Sequence, residues 1–378
     1  MKKVMILTAS VGGGHNQAAK SLEHVYKAHG YKVVIIDFLK VAGKIIEKAI
    51  IRGNDLLCIK LPYIYKGLYI YCNNEGVNSK ISNYGMKIFQ KRIYNRIIKE
   101  DPDLIIGTHA FVVPIICNLK RKRYLKIPFI SIITDFKAHS FHINRYVDAY
   151  ITASEYTKKD MMNRGVRSEK IYPYGIPIKQ EFLIQRKNKR YSNDVFTILL
   201  MGGSIGCSSI EQILKQLIDC KNRLRIITVC GKNKDLMDNI KRNFLHKAGN
   251  KEILLYGFTN DIPRLMHRSD ILISKPGGLT VAEAIASNIP MIIPNMLPGQ
   301  EEENAEFLAE AGAAIISYNT QSINEEINHL IENPNLIKLM EKNMKKLFKG
   351  YSLEGIISIS TNLIINYEKE EYLLKNVK

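Results

Sequence analysis

The 378-residue sequence has no long apolar stretch, and no window approaches the roughly 18 uninterrupted apolar residues that a bilayer-spanning helix needs. Any membrane contact is therefore expected to be peripheral. Its cysteines (Cys58, Cys72, Cys117, Cys207, Cys220, Cys230) form no Cys-x-x-Cys pair and sit in apolar or helical contexts. That argues against a disulfide framework or a zinc site and fits a reduced cytosol. Lys2-Lys3 before Val4-Met5-Ile6-Leu7 imitates a signal peptide, but the apolar run is too short and leads into glycines instead of a small-residue cleavage site. Helix-turn-helix patterns, zinc-finger spacings and aromatic RNP-type strands are all missing, so nucleic acid is not the expected partner. Acidic residues are also scarce: 36 against 55 Lys and Arg, a net charge of +19. The shortage lies almost wholly in residues 1–180, which hold 30 basic and 13 acidic side chains. Excess charge of this size implies an anionic partner or surface for that half.

What is present is a repeating α/β rhythm. Short β-branched runs alternate with helical-period stretches, the pattern of βαβ units around parallel sheets. Strands are expected at 3–8, 32–37, 104–108, 129–134 and 149–152, then at 196–201, 225–230, 253–255, 271–274, 291–293 and 314–316. The length suits two doubly wound domains: 1–180, then 195–352, joined by a linker over 181–194 whose polar part is 185–194. Some sixty residues separate the second and third strands, far more than a βα connection needs. This insertion, 38–100, holds 12 basic and 4 acidic residues among many Ile, Leu and Tyr. Within it Lys44, Lys48 and Arg52 recur every four residues on one helical face, with Ile45, Ile46, Ala49 and Ile50 on another. Two readings fit: a helical subdomain packing on the first core, or a basic amphipathic face for anionic lipid.

Three loops carry chemistry. Thr8-Ala9-Ser10-Val11-Gly12-Gly13-Gly14-His15 follows the first strand and opens a helix, so its amides can turn toward a ligand. Asp37, ending the second strand, would suit a dinucleotide ribose, but Gln17 stands where GxGxxG needs its third glycine. His15 at the loop-to-helix junction reads as functional. In the second domain, Gly202-Gly203-Ser204 and Ser274-Lys275-Pro276-Gly277-Gly278-Leu279-Thr280 each lie between a strand and a helix, suited to a diphosphate, with Glu283 placed to reach ribose hydroxyls. In Pro298-Gly299-Gln300-Glu301-Glu302-Glu303-Asn304, Gln300 and Asn304 share a helical face beside Glu301, an arrangement suited to sugar hydroxyls.

In this order, GGGH, GGS, SKPGGLT with its following Glu, and PGQEEEN resemble the monogalactosyldiacylglycerol synthase and bacterial processive diacylglycerol glucosyltransferase family. That family is related to the lipid-linked GlcNAc transferase of peptidoglycan synthesis, within glycosyltransferase family 28. The resemblance implies a GT-B architecture of two Rossmann-like domains, with a final helix, 353–378, returning to the first. It implies Gly203 and Ser204 on the diphosphate, Phe258 and Thr259 flanking uracil, Gly277, Gly278 and Thr280 on phosphates, Glu283 on ribose, and Gln300, Glu301 and Asn304 on the hexose. Lys179 stands where relatives commonly have Arg, a point charge in place of a planar fork. Gly13, Gly14 and His109 are expected to hold the acceptor.

The expected activity is inverting transfer of a hexose, glucose before galactose, from a UDP-sugar to 1,2-diacylglycerol at the cytoplasmic face of the membrane. His15 is the first choice for the general base and Asp135 the second. No metal or other cofactor is expected, and Asp101-Pro102-Asp103, the only D-x-D, reads as structural. Alternatives are a GlcNAc transferase acting on a lipid-linked peptidoglycan precursor, a UDP-sugar 2-epimerase and, from another class, a basic nucleic-acid-binding protein.

Overall fold

A computed structural model describes residues 1–10, 13–74, 87–184, 195–202, 209–294, 296–318 and 322–376. Gly203 and Ser204, the diphosphate residues expected after the first strand of the second domain, lie outside the described residues, as do Val11, Gly12 and the linker segment 185–194. The chain forms two compact units, one of Met1–Ile178, Pro298–Gln300 and Gly350–Lys378, the other of Lys179–Leu297 and Glu301–Lys349.

The first unit is built on six parallel strands, β1 (Lys3–Thr8), β2 (Lys32–Asp37), β3 (Leu104–Gly107), β4 (Phe129–Ile132), β5 (Ala149–Ile151) and β6 (Ile171–Tyr172), in the order β2-β1-β3-β4-β5-β6. β3, β4 and β5 are buried along their whole length, which is why they read as unbroken apolar runs, whereas β2 lies at an edge and is only partly covered. β6 escaped the sequence reading because two residues are too few to show a period.

The second unit repeats the design with β7 (Phe196–Met201), β8 (Leu224–Val229), β9 (Glu252–Tyr256), β10 (Ile271–Ser274), β11 (Met291–Ile293) and β12 (Ala314–Ile316), ordered β12-β11-β10-β7-β8-β9 and parallel throughout. In each sheet the strand order reverses direction at one place, β1/β3 in the first and β7/β10 in the second. Connections leave to opposite sides there, opening a crevice at the carboxyl ends of the strands where open α/β sheets bind ligands.

The insertion is helical: Phe38–Ala42, Lys44–Lys60, Pro62–Cys72 and Lys87–Glu100. Gly43, with φ of +111°, turns the chain between the first two, and Pro62 starts the third. Ile50 packs against the first core, but Ile45 on the same predicted apolar face is 86% exposed. The helix Pro62–Cys72 buries none of its residues and leaves Tyr63, Ile64, Leu68, Ile70 and Tyr71 in solvent. Packing on the core therefore accounts for only part of the insertion's apolar surface. The carboxyl end of the helix Pro62–Cys72 is pinned to the loop after β4: Ser140 N donates to Asn73 Oδ1 at 2.7 Å, and Ser140 Oγ to the Cys72 carbonyl at 3.1 Å.

The final helix, Leu353–Asn376, lies on the first unit. Tyr31 Oη meets Thr361 Oγ1 at 2.7 Å, and Tyr367 Oη donates to Asp148 Oδ1 at 2.7 Å. Tyr351, just before it, covers Gly175 and accepts from Ile178 N at 3.2 Å. Gly175 has φ of +86°, and a Cβ there would run into the Tyr351 ring, so glycine is required twice over.

Candidate functional site

Several of the residues that the sequence singled out follow the carboxyl ends of the strands in each unit. In the first unit the loop after β1 delivers Gly13 as the N-cap of the helix Gly14–Ala28, with His15 in its first turn. That cap makes no side-chain hydrogen bond, and the first turn carries no acidic residue. His15 Nδ1 lies 2.8 Å from the Thr108 carbonyl, just past β3, and 3.0 Å from Thr134 Oγ1, just past β4. The His109 ring meets the His15 ring edge-on with centroids 4.4 Å apart. Three strand ends thus converge on one imidazole.

Burial disfavours the charged form of the ring. Burial pulls the His15 pKa below its ordinary value, and the Thr108 carbonyl opposes this. His109 is pushed well below by burial and by its neighbours His15, His142 and His139. His139 and His142, at about 4 and about 3, are lowered mainly by burial. Neither was anticipated as part of the site; the only signal in the sequence was a histidine pair three apart just after Thr134-Asp135. His142 Nδ1 lies 2.9 Å from Ser131 Oγ, and the His139 ring packs edge-on against Tyr69 of the insertion, centroids 5.1 Å apart. Asp135 follows Thr134, and Gln300, which falls with this unit, donates to its carboxylate from Nε2.

Asp37 is not placed as a ribose ligand. Its carboxylate caps the helix Phe38–Ala42 by accepting from Leu39 N at 3.0 Å and also receives Ser10 Oγ. Asp103 sits at the opposite, amino edge of the sheet, accepting from Lys3 N at 2.7 Å and from Lys2 Nζ at 3.1 Å. Among the described residues no three His, Cys, Asp or Glu side chains come together so as to hold a metal ion.

In the second unit, Gly277 and Gly278 open the helix Gly278–Ser287 directly from β10, again with no side-chain cap, and Thr280 lies in its first turn. Glu283, on that helix, is raised to about 8 by burial, with Lys179 pulling the other way. A carboxyl kept protonated at neutral pH can donate as well as accept, which suits a ribose diol. It is also a cost to the fold: its unfolded counterpart ionises near the ordinary value, so the destabilisation grows as pH rises from there toward about 8. Residues retained at such a cost cluster at functional sites.

Phe258, beyond β9, is 63% exposed, with Lys232 Nζ 5.6 Å from its ring centroid. Thr259 Oγ1 accepts from Asp261 N at 3.1 Å and shapes that loop. Glu301 and Asn304 occupy less open positions than sugar ligands were expected to. Glu301 is 8% exposed; its Oε1 accepts from Lys275 Nζ at 2.7 Å and its Oε2 from Leu297 N at 2.9 Å. Asn304 is fully buried and donates to the Pro276 carbonyl at 3.1 Å. Both brace the loop after β10. Lys275, quoted only as part of that loop in the sequence, is the cation that Glu301 holds.

Known proteins resemble both halves of the chain. The family described as monogalactosyldiacylglycerol (MGDG) synthase matches residues 15–178, and the glycosyltransferase family 28 C-terminal domain matches residues 197–354. The processive diacylglycerol beta-glucosyltransferase of Bacillus mycoides (strain KBAB4) is 30% identical over 371 residues, covering 94% of this chain and 93% of that one. Its counterpart from Bacillus pumilus (strain SAFR-032) is 29% identical over 362 residues, 94% of each. Among solved structures, Acinetobacter baumannii MurG superposes with a TM-score of 0.64 at 16% identity, over 98% of this chain and 100% of that one. UDP-GlcNAc 2-epimerase from Neisseria meningitidis gives 0.57 at 14% identity, over 96% and 100%. Such distant likenesses establish the α/β two-domain GT-B fold, which transferases and epimerases share. The two family matches and the 30% identity over 94% of the chain place it in the monogalactosyldiacylglycerol synthase and processive diacylglycerol glucosyltransferase family, within glycosyltransferase family 28.

Proposed function

We propose that this chain is an inverting glycosyltransferase that moves glucose from UDP-glucose to the free hydroxyl of 1,2-diacylglycerol. The observation that carries the reading is His15, an imidazole at the switch point of the first sheet whose Nδ1 lies 2.8 Å from the Thr108 carbonyl, on a chain whose relatives are named for this transfer. A lipid hydroxyl is a weak nucleophile, and His15 takes its proton as the oxygen attacks C1 of the sugar. Gly13, Gly14 and His109 hold the acceptor beside it.

UDP leaves with the electrons of the broken bond, and its growing charge is met by the helix N-terminus at Gly277, Gly278 and Thr280 and by Lys179, with Gly203 and Ser204 on the same diphosphate. No metal ion is called on. Glu283 binds the ribose and Phe258 and Thr259 the uracil. Gln300 contacts the hexose, while Glu301 and Asn304 contribute by holding the loop after β10.

The test is incubation of radiolabelled UDP-glucose, UDP-galactose and UDP-GlcNAc, each in turn, with diacylglycerol vesicles, followed by mass analysis of the lipid. A monoglucosyl lipid is the expected product. A lipid product formed only from UDP-galactose or UDP-GlcNAc, or epimerised nucleotide sugar with no lipid product, overturns the reading.

The acceptor stays in the bilayer, so the enzyme must come to it as a peripheral protein at the cytoplasmic face. Among the described residues no helix is long and apolar enough to cross a membrane. The exposed Tyr63, Ile64, Leu68, Ile70 and Tyr71, with exposed Lys44, Lys48 and Arg52 in the neighbouring helix, supply the apolar and cationic parts of an interfacial surface. Neutralising Lys44, Lys48 and Arg52 together is expected to weaken sedimentation with anionic vesicles by about 100-fold, each charge being worth about 1 kcal/mol near such a surface. Binding to neutral vesicles should change little, and unaltered binding to the anionic ones would return these residues to a purely structural role.

A further inference from the structure

We infer that Thr134 is a positioning residue for His15: together with the Thr108 carbonyl it holds the imidazole in the tautomer with hydrogen on Nδ1 and leaves Nε2 as the proton acceptor. The inference rests on the transfer reaction proposed above and adds to it the residue that sets the base.

The argument begins with donor and acceptor chemistry. His15 Nδ1 is 2.8 Å from the Thr108 carbonyl oxygen, which can only accept, so Nδ1 carries the hydrogen. A neutral ring protonated there has its lone pair on Nε2. Thr134 Oγ1, 3.0 Å from the same Nδ1, is then a second acceptor of that hydrogen. Both threonines are buried, Thr108 completely and Thr134 to 5% exposure, so water does not compete for the bond. Thr108 Oγ1 also reaches the His15 carbonyl at 3.3 Å, tying the first turn of the helix to β3. With His109 packed edge-on against it, the ring is fixed in plane and in tautomer.

During transfer the acceptor oxygen bonds to C1 and its proton passes to Nε2. The bond from C1 to the diphosphate oxygen breaks with both electrons leaving on UDP. The imidazolium so formed already points its Nδ1 hydrogen at two oxygens, so the new charge is met without rearrangement. In the Ser-His-Asp triad a carboxylate has this task; here two neutral acceptors share it. The titratable groups on the surrounding elements are His109 after β3, Asp135 beside Thr134, His139 and His142 at the turn that follows, and Asp37 at the end of β2. Asp37 is engaged by Ser10 and Leu39, and the three histidines are held below their ordinary pKa.

Thr134→Val keeps the shape and removes the acceptor, while Thr134→Ser keeps the acceptor. In the full chain, assayed with UDP-glucose and diacylglycerol vesicles, the valine variant is expected to lose about tenfold in kcat with KM for UDP-glucose unchanged, the scale of one buried hydrogen bond. The acid limb of its kcat profile should move to lower pH, because the lost acceptor had favoured the protonated ring. The serine variant should restore both. Unchanged kcat and limb in the valine variant, or equal losses in both variants with the limb in place, would overturn the inference. Nitrogen NMR of His15 provides a readout independent of turnover: an unprotonated Nε2 is expected, and hydrogen found on Nε2 refutes the assignment. Full activity in His15→Ala would instead remove the base itself, and with it the mechanism on which this inference builds.

Discussion

Replacing His15 with alanine is expected to lower glycosyl transfer by about 10²–10⁴-fold, the usual contribution of a positioned base, while leaving UDP affinity at the wild-type value. The two effects separate because His15 belongs to the first unit, whereas the loops proposed to hold the nucleotide belong to the second. The ring's surroundings also favour it over Asp135. Its Nδ1 is committed to the Thr108 carbonyl, so the nitrogen that accepts a proton is defined, while the Asp135 carboxylate already receives the Gln300 amide. Asp135→Asn should accordingly cost less than His15→Ala. Calorimetric UDP titration beside single-turnover transfer measures both quantities. A His15→Ala protein with full kcat, or Asp135→Asn as the more damaged of the two, would move the base to Asp135.

Asp148→Ala is expected to destabilise the first unit by about 3–5 kcal/mol, the cost of leaving a buried charge without its partner. The Lys120 side chain is only 8% exposed and pairs with Asp148, while also donating to Tyr367 Oη at 2.8 Å and the Ile127 carbonyl at 3.1 Å. Asp148 accepts in addition from Phe129 N at 2.7 Å and from Tyr367 Oη at 2.7 Å. One carboxylate thus joins β4, β5 and the final helix at the edge of the sheet away from the crevice. Thermal unfolding should begin about 10 °C lower, and amides of the helix Leu353–Asn376 should exchange faster. Combining Asp148→Leu with Lys120→Met should recover only the part of the loss that comes from the stranded charge, because Phe129 N and Tyr367 Oη still lose their acceptor. A loss under 1 kcal/mol for the alanine variant would show that water reaches Lys120 more readily than its burial implies.

The strands were legible because their signal is local. Val4-Met5-Ile6-Leu7 or Ile271-Leu272-Ile273 can hardly form anything but a buried parallel strand between a charged lead-in and a polar or glycine-rich exit. The glycine loops were legible for the same reason, since a tight strand-to-helix turn restricts the residue types that can follow a strand. Roles that depend on partners were not. Asp37 had the position of a ribose ligand but serves as a helix cap. Glu301 and Asn304 looked like open polar groups, whereas in the fold Lys275, Leu297 N and the Pro276 carbonyl already engage them.

By itself, then, the sequence determined two doubly wound sheets, the loops at their carboxyl ends and a first half rich in positive charge, because periodicity, glycine placement and composition act over a few residues. Tertiary structure alone decided which groups meet. His15 acquires its tautomer from residues 93 and 119 positions away, and Tyr367 closes on Asp148 across 219. A hydrogen bond depends on distances of a few tenths of an ångström, and these exist only once the strands have been placed side by side.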